Sequence, residues 1–320
     1  MINKERKQLF VEEHSDNQVG ERSKNILFRI FDKYEDEWGI DLCEQTIDKV
    51  QPVIDEITTS SFMSIQDKLW FLRIYVEWCK EKGYKTSDAY KQIVINADNG
   101  IMKELYGSPE ELKETMDNIF GDPWITFTNP YRTFLWFAYI GIPLNEVAEI
   151  TSDEFSIQKQ TITHNGKTYY VCKEALSDFA NARTCTEFVY SLSNPVRYYI
   201  KERAGGNKML RGIKSEDVSI RVLEKYINNQ TSCYEHKQVT YNKTFKSGYF
   251  FRCRNKILER EILTKSDLEQ YFFEYFKTKF YSVDSNKGKE YLKRSTDIAQ
   301  CIKTFMRWEE IFYGDKIIDI

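Results

Sequence analysis

One dipeptide, Asn165-Gly166, limits what this chain can fold into. It separates two short strand-forming runs, Thr161-Ile162-Thr163 and Thr168-Tyr169-Tyr170-Val171. Asn-Gly readily supplies the positive-φ pair that a tight hairpin turn needs, so Phe155 to Cys172 reads as a β-hairpin. Elsewhere the apolar residues recur mostly with a helical period. The chain is therefore mainly α with a small β-hairpin, an α+β class. The longest apolar run, Phe134 to Ile142, is far shorter than the roughly 20 residues a membrane helix needs. No membrane partner is expected. The N-terminus has no apolar signal core, and the seven cysteines form no C-x-x-C pair. That combination predicts free thiols and a cytoplasmic location. His14, His164 and His236 lack ligand spacing, so no metal or other cofactor is expected.

The helical periodicity sorts the 320 residues into an order. Asn25–Tyr34 is amphipathic, and Asp41–Ile57 is a second helix interrupted or kinked at Pro52. Ser64 is placed as the cap of a helix running to Lys82, which Gly83 stops, with Arg73 on its polar face. Asp88–Asn96 is a short helical piece. Gly107-Ser108-Pro109 breaks the chain before a connecting helix, Glu110–Phe120. A strongly apolar helix, Tyr131–Ile140, meets Gly141-Ile142-Pro143, where Pro143 suits the first turn of a following helix. If Gly141 adopts a positive φ, a bulky residue there would strain the turn. After the hairpin come helices over roughly Lys173–Ala182, Pro195–Arg203, Ser215–Asn229, Lys246–Glu261, Ser266–Phe280 and Ser295–Tyr313.

The formal charge of −3 conceals an uneven distribution. Asp32–Glu56 carries nine acids and two bases, and Asp98–Glu154 eleven acids and three bases. Arg197–Arg260 reverses the balance with fifteen bases and six acids, and Lys287–Arg307 has six bases and two acids. A field follows local charge, so one face can attract phosphates although the whole chain is acidic. A solvated helical surface is the plain alternative.

This layout resembles the tyrosine recombinase (phage integrase) family. Ser64–Tyr84, SIQDKLWFLRIYVEWCKEKGY, resembles the long helix of that family's core-binding domain. Phe134–Phe155, FLWFAYIGIPLNEVAEITSDEF, resembles its first box. The resemblance implies a two-domain clamp on duplex DNA. It would comprise a helical, SAM-like core-binding domain over 1–112, a linker over 113–125 and a catalytic-like domain over 126–320.

The family cleaves a phosphodiester with a tyrosine, while two arginines brace the phosphate. In the first box Gly141 and Glu146 align, but the catalytic Arg position falls on Pro143. In the second box, His-x-x-Arg, Lys243 stands for the His and Lys246 for the Arg. A second register, Tyr249-Phe250-Phe251-Arg252, keeps the Arg and loses the His. Phe305-Met306-Arg307-Trp308 puts Trp308 at the tyrosine position, with Tyr313 as a displaced nucleophile and Lys167 at the place of the hairpin lysine. Losing several such groups, each worth on the order of 10²–10³ in rate, implies no enzymatic activity.

Lysine keeps a point charge where arginine's fork is lost, which suits binding without cleavage. The implied DNA contacts are Lys243, Lys246, Arg252, Arg254, Lys256, Lys208, Arg211, Lys214, Arg221 and Arg73. A silent integrase-like binder is similar to prophage lytic-cycle repressors of the MrpR type. That likeness implies sequence-specific binding to repeated operator elements in a phage genome, maintaining lysogeny in a bacterial cytoplasm. Two other readings stay open: a diverged recombinase performing strand exchange, and a protein-binding module acting through the acidic half. Self-association is also left open.

Overall fold

A computed structural model describes residues 2–14, 18–56, 62–94, 97–121, 128–192, 197–232, 239–280 and 295–314. Two compact units divide between Ile101 and Met102.

The first unit is helical: α1 (Lys4–His14), α2 (Gln18–Trp38), α3 (Ile47–Glu56) and α4 (Phe62–Glu81), with single 3-10 turns at Leu42–Glu44 and Ala89–Lys91. Phe10, Phe28, Phe31, Val50, Val53, Leu72, Tyr75 and Trp78 form its core. Two buried acids organise it. Glu35 pairs with Lys7 and accepts the Leu42 amide at 3.0 Å. Asp41 accepts the Tyr75 hydroxyl at 3.0 Å and the Cys43 amide at 3.1 Å. Buried charges persist only when paired and hydrogen-bonded, so these contacts tie α1, α2, α4 and the 3-10 turn together.

Several sequence expectations change here. α1 was not anticipated, because only Lys7, Phe10 and Val11 along it are buried. The second helix runs much longer than Asn25–Tyr34, and α3 continues through Pro52 instead of breaking there. Because α4 starts at Phe62, Ser64 lies inside its first turn and is not the cap. Of the helical piece expected over Asp88–Asn96, residues 95 and 96 lie outside the described residues and the rest holds only the turn Ala89–Lys91. Gly83 does end α4, at φ +78°.

The boundary at Ile101 and Met102 falls within α5 (Ala97–Glu104). The helix expected near the linker, α6 (Pro109–Phe120), is capped by Ser108, whose hydroxyl accepts the Glu111 amide. It buries Leu112, Met116, Ile119 and Phe120, and so is part of the second unit's packing.

That unit is built around α7 (Asn129–Ile140), every residue of which is buried. Inside it Arg132 sits between Asp117 at 2.7 Å and Asp178 at 2.8 Å, and Trp136 donates to the same Asp178 at 2.7 Å. Next come β1 (Phe155–Ser156), β2 (Thr161–His164) and β3 (Lys167–Tyr170), an antiparallel sheet in the order β1-β2-β3. His164 pairs with Lys167 across the Asn-Gly turn. Beyond lie α8 (Leu176–Thr184), the ribbon β4 (Glu187–Leu192) and β5 (Arg197–Glu202), α9 (Ile220–Ser232), α10 (Tyr241–Leu258), α11 (Lys265–Phe280) and α12 (Ser295–Tyr313). Among the described residues the fold is thus mostly helical with two small antiparallel sheets.

Three differences matter for the second unit. Of Pro195–Arg203, read as helix, Arg197–Glu202 is the strand β5, paired with β4 from Glu187↔Glu202 to Leu192↔Arg197, while residues 195 and 196 lie outside the described residues. No helix follows Pro143; its carbonyl accepts the Glu146 amide in the first of two successive turns. α10 begins at Tyr241, earlier than expected, because the Thr240 hydroxyl caps it by accepting the Lys243 amide. α10 packs on α7 at Gly248. A Cβ there would lie 1.8 Å from the Tyr139 carbonyl, so only glycine allows this approach.

Candidate functional site

The residues matched to the recombinase boxes converge around the C-terminal end of α7, α10 and α12. Gly141 closes α7 at φ +97°, its amide bonded to Ala138 and the next amide, that of Ile142, to Phe137. This double bond to the last turn is a Schellman cap, which needs a left-handed residue. The Arg252 guanidinium fills the space beside it. A Cβ at Gly141 would meet Arg252 Nη2 at 2.5 Å. Arg252 also donates to the Tyr139 carbonyl and lies 5.5 Å from the Tyr249 ring.

The two lysines standing for His-x-x-Arg are both half-buried. Lys243 Nζ is 2.9 Å from the buried Glu104 carboxylate. Lys246 places its ammonium 5.4 Å from the Phe250 ring. Pro143 is buried and carries no charge. Trp308, at the tyrosine position, is fully buried among Phe250, Phe305 and Phe312, and its indole donates to the Tyr106 carbonyl at 3.0 Å. The Tyr106 amide in turn donates to Ser247 Oγ at 3.0 Å, pinning that loop to α10.

Tyr313 is also held. Its hydroxyl donates to the Gly107 carbonyl, and the Arg254 guanidinium stacks 3.7 Å over its ring. Burial pushes the phenol above its ordinary value, with Arg254 working against the rise. A nucleophilic phenolate is disfavoured in that setting.

The remaining nominated cations fall into two groups. Arg254 pairs with Glu309 at 3.4 Å, Lys256 with Glu261, and Lys208 with Asp217 at 2.9 Å and Glu149 at 3.2 Å. Arg211 donates to the Gly206 carbonyl at 2.6 Å. Lys214, Arg221 and, in the first unit, Arg73 are exposed. So is the hairpin's Lys167. The dense basic count of Arg197–Arg260 is therefore largely spent within the protein. Among the described residues, those facing outward include Lys201 on β5, Arg260 after α10, and, at the approach to α9 and on its outer side, Lys214, Arg221 and Lys225 with the exposed apolar Val222 among them. Buried Leu223 and Ile227 hold the opposite side of α9, and Tyr226 stacks on Tyr131 of α7 at 4.0 Å. Lys225 was not nominated from the sequence. Its signal was available, since it lies one helical turn beyond Arg221 and off the Leu223/Ile227 stripe.

Arg203 was also passed over. It is buried and donates to three carbonyls, those of Ala182, Cys185 and Met209, at 2.7, 3.2 and 2.8 Å. Burial, with Arg211 nearby, lowers its guanidinium to about 10. This is a scaffold arginine, joining α8, the ribbon and the following loop.

Among the described residues no group of His, Cys, Asp or Glu could hold a metal ion. Nor is any described helix long and apolar enough to cross a membrane.

Comparison with known proteins places the first unit. Residues 1–81 match the family model of the MrpR N-terminal core-binding domain. The N-terminal unit is thus similar to an MrpR-type core-binding domain. The exposed Arg73 lies on α4, within the matched residues and one turn after the exposed Trp70. No curated protein matches the chain. Among solved structures, the chain is similar to the XerA recombinase, at 12% identity, covering 94% of this chain and 97% of that one with a TM-score of 0.39. It is similar also to the integrase from mycobacterium phage Brujita, at 12% identity over 96% and 91% with a TM-score of 0.33. A lambda integrase dimer bound to a COC' core site matches at 8% identity over 92% of each chain, with a TM-score of 0.33.

Proposed function

We propose that this protein is a sequence-specific repressor that binds double-stranded DNA on a recombinase-like scaffold and does not cut it. The observation that carries this reading is the match of residues 1–81 to the MrpR core-binding domain. Two features of the second unit support it. One position that would brace a scissile phosphate is the uncharged Pro143, and the lysine at the His position, Lys243, is neutralised by Glu104. The two side chains nearest the nucleophile's place, Trp308 and Tyr313, each donate to a backbone carbonyl and hold the core together. Meanwhile Lys214, Arg221 and Lys225 offer outward charge for phosphates, with Val222 as an apolar contact for a base edge. Repeated operator elements in a prophage genome are the proposed target, and lysogeny the proposed outcome.

The test is a binding map of the purified chain on fragmented phage and host DNA, followed by a suicide duplex carrying the strongest site. Discrete repeated sites, affinity falling steeply with salt, and no protein–DNA adduct are expected. A covalent adduct that disappears in Tyr313→Phe would replace this reading with an active recombinase. Failure to bind any duplex at low salt would leave a protein-binding module.

A further inference from the structure

The loop between β5 and α9 contains a backbone cradle already filled by a carboxylate. Glu216 Oε1 accepts the Asn207 amide at 2.7 Å and the Lys208 amide at 2.9 Å. Gly206, at φ +128°, opens the space beside them. A Cβ there would lie 2.2 Å from the Glu216 carboxyl carbon and 2.3 Å from Oε1, so only glycine lets an oxyanion enter. Successive amides converging on one oxygen make an anion-binding concavity.

The cradle is built rigidly. The Met209 amide donates to Ile150 O at 2.8 Å and the Ser152 amide to Asn207 O at 2.7 Å, stitching the loop to the segment before β1. Arg211 lies against the same turn through its bond to the Gly206 carbonyl, and its buried Nε has no hydrogen-bond partner. Lys208 adds little attraction, since Glu149 and Asp217 hold its ammonium.

We propose that Gly206, Asn207, Lys208 and Arg211 form a phosphate-oxyanion seat that Glu216 occupies as an internal stand-in. A carboxylate and a phosphate present the same acceptor oxygens to such amides. The seat then exists in two states, one closed by Glu216 and one holding a phosphate from outside. That phosphate is either free or part of a nucleic-acid backbone. The latter source rests on the function proposed above and suits a loop that leads directly into α9. A tethered carboxylate competes at an effective concentration on the order of millimolar, so free phosphate would reach the seat poorly in the native chain.

The experiment uses the full chain as wild type, Glu216→Ala and Glu216→Gln. Gln keeps an acceptor for the two amides while removing the charge, so the loop stays closed in at least one variant. Inorganic phosphate is titrated at constant ionic strength against chloride, and the Asn207 and Lys208 amide resonances are followed. In Glu216→Ala both shift saturably, at least roughly tenfold more tightly than in wild type, with Glu216→Gln between them. In parallel, a random-sequence duplex is titrated across salt. Glu216→Ala binds it more tightly, and its slope of log affinity on log salt is steeper by about one.

If the amides of a folded Glu216→Ala protein ignore phosphate, the seat is overturned, whatever the duplex does. If they respond while no variant binds duplex, the seat stands as a site for free phosphate and the DNA reading falls.

Discussion

α9 and α10 both carry the basic residues that make the second half of this chain cationic, yet they dispose of them differently. On α10, Lys243 meets Glu104, Arg252 closes over the Gly141 turn, Arg254 meets Glu309 and Lys256 meets Glu261. On α9, Arg221 and Lys225 face outward. The cause is position. α10 lies against α7 at backbone distance, so its long side chains thread between neighbouring elements and their charge must be paired as it is desolvated. α9 turns Leu223, Ile227 and the ring of Tyr226 inward and leaves its basic side free of the neighbouring elements. A basic segment is thus no measure of a basic surface: burial decides which cations remain available to a partner.

The contrast is open to attack through stability, beginning with the cation most deeply committed to the interior. Arg132 of α7 is buried between Asp117 and Asp178. Arg132→Met leaves Asp178 buried without its ion-pair partner, which costs about 3–5 kcal/mol. Urea unfolding should show a lower midpoint with an unchanged slope. A pH dependence accompanies it. Burial raises Asp117, but Lys113 and Arg132 outweigh it and hold the carboxyl below its ordinary value. The native state therefore binds that proton less tightly than the unfolded chain, and the group's stabilisation, present above the ordinary carboxylate value, is lost as the pH falls through the depressed one. In Arg132→Met the acid limb of the stability profile should be shallower.

Lys243 comes next. If its charge is spent on Glu104, Lys243→Met destabilises by about 2 kcal/mol by stranding a buried carboxylate. Adding Glu104→Gln should recover much of that loss, a coupling visible in a double-mutant cycle. Purely additive losses would mean that Lys243 is free, and α10 would then resemble α9.

This division marks where sequence reading succeeds. The hairpin came through because Asn165-Gly166 specifies its own turn, and Gly141 because a helix end followed by Ile-Pro leaves few backbone choices. Ser295–Tyr313 was read in full from its period. The ribbon was missed because Arg197–Glu202 is a strand only when Glu187–Leu192 lies beside it, and Pro195 equally suits a helix start. The candidate site was the least legible part. Residue types at the box positions could be read off directly, but no local pattern near Lys243 announces Glu104, and none near Arg254 announces Glu309. Those partners are distant in sequence, and only the folded chain brings them together. The same holds for Gly248, which looks like a weak helix residue until the Tyr139 carbonyl is seen against it.

The mildest change to the fold is also the most direct challenge to the comparison. Arg221→Ala with Lys225→Ala removes two outward charges whose side chains have little to lose, so stability should stay within about 0.5 kcal/mol of the native value. Truncating a phosphate contact lowers affinity for every duplex alike and flattens the salt dependence, by roughly 0.9 per contact. The pair should therefore reduce the slope by nearly two while the melting temperature holds. The matching change on α10, Lys256→Ala, breaks an exposed pair with Glu261 and should leave both the slope and the stability almost untouched. A slope that falls with Lys256 and not with the α9 pair would reverse the assignment. It would mean that the Lys256–Glu261 pair opens on meeting DNA, and that α10 presents the working surface after all.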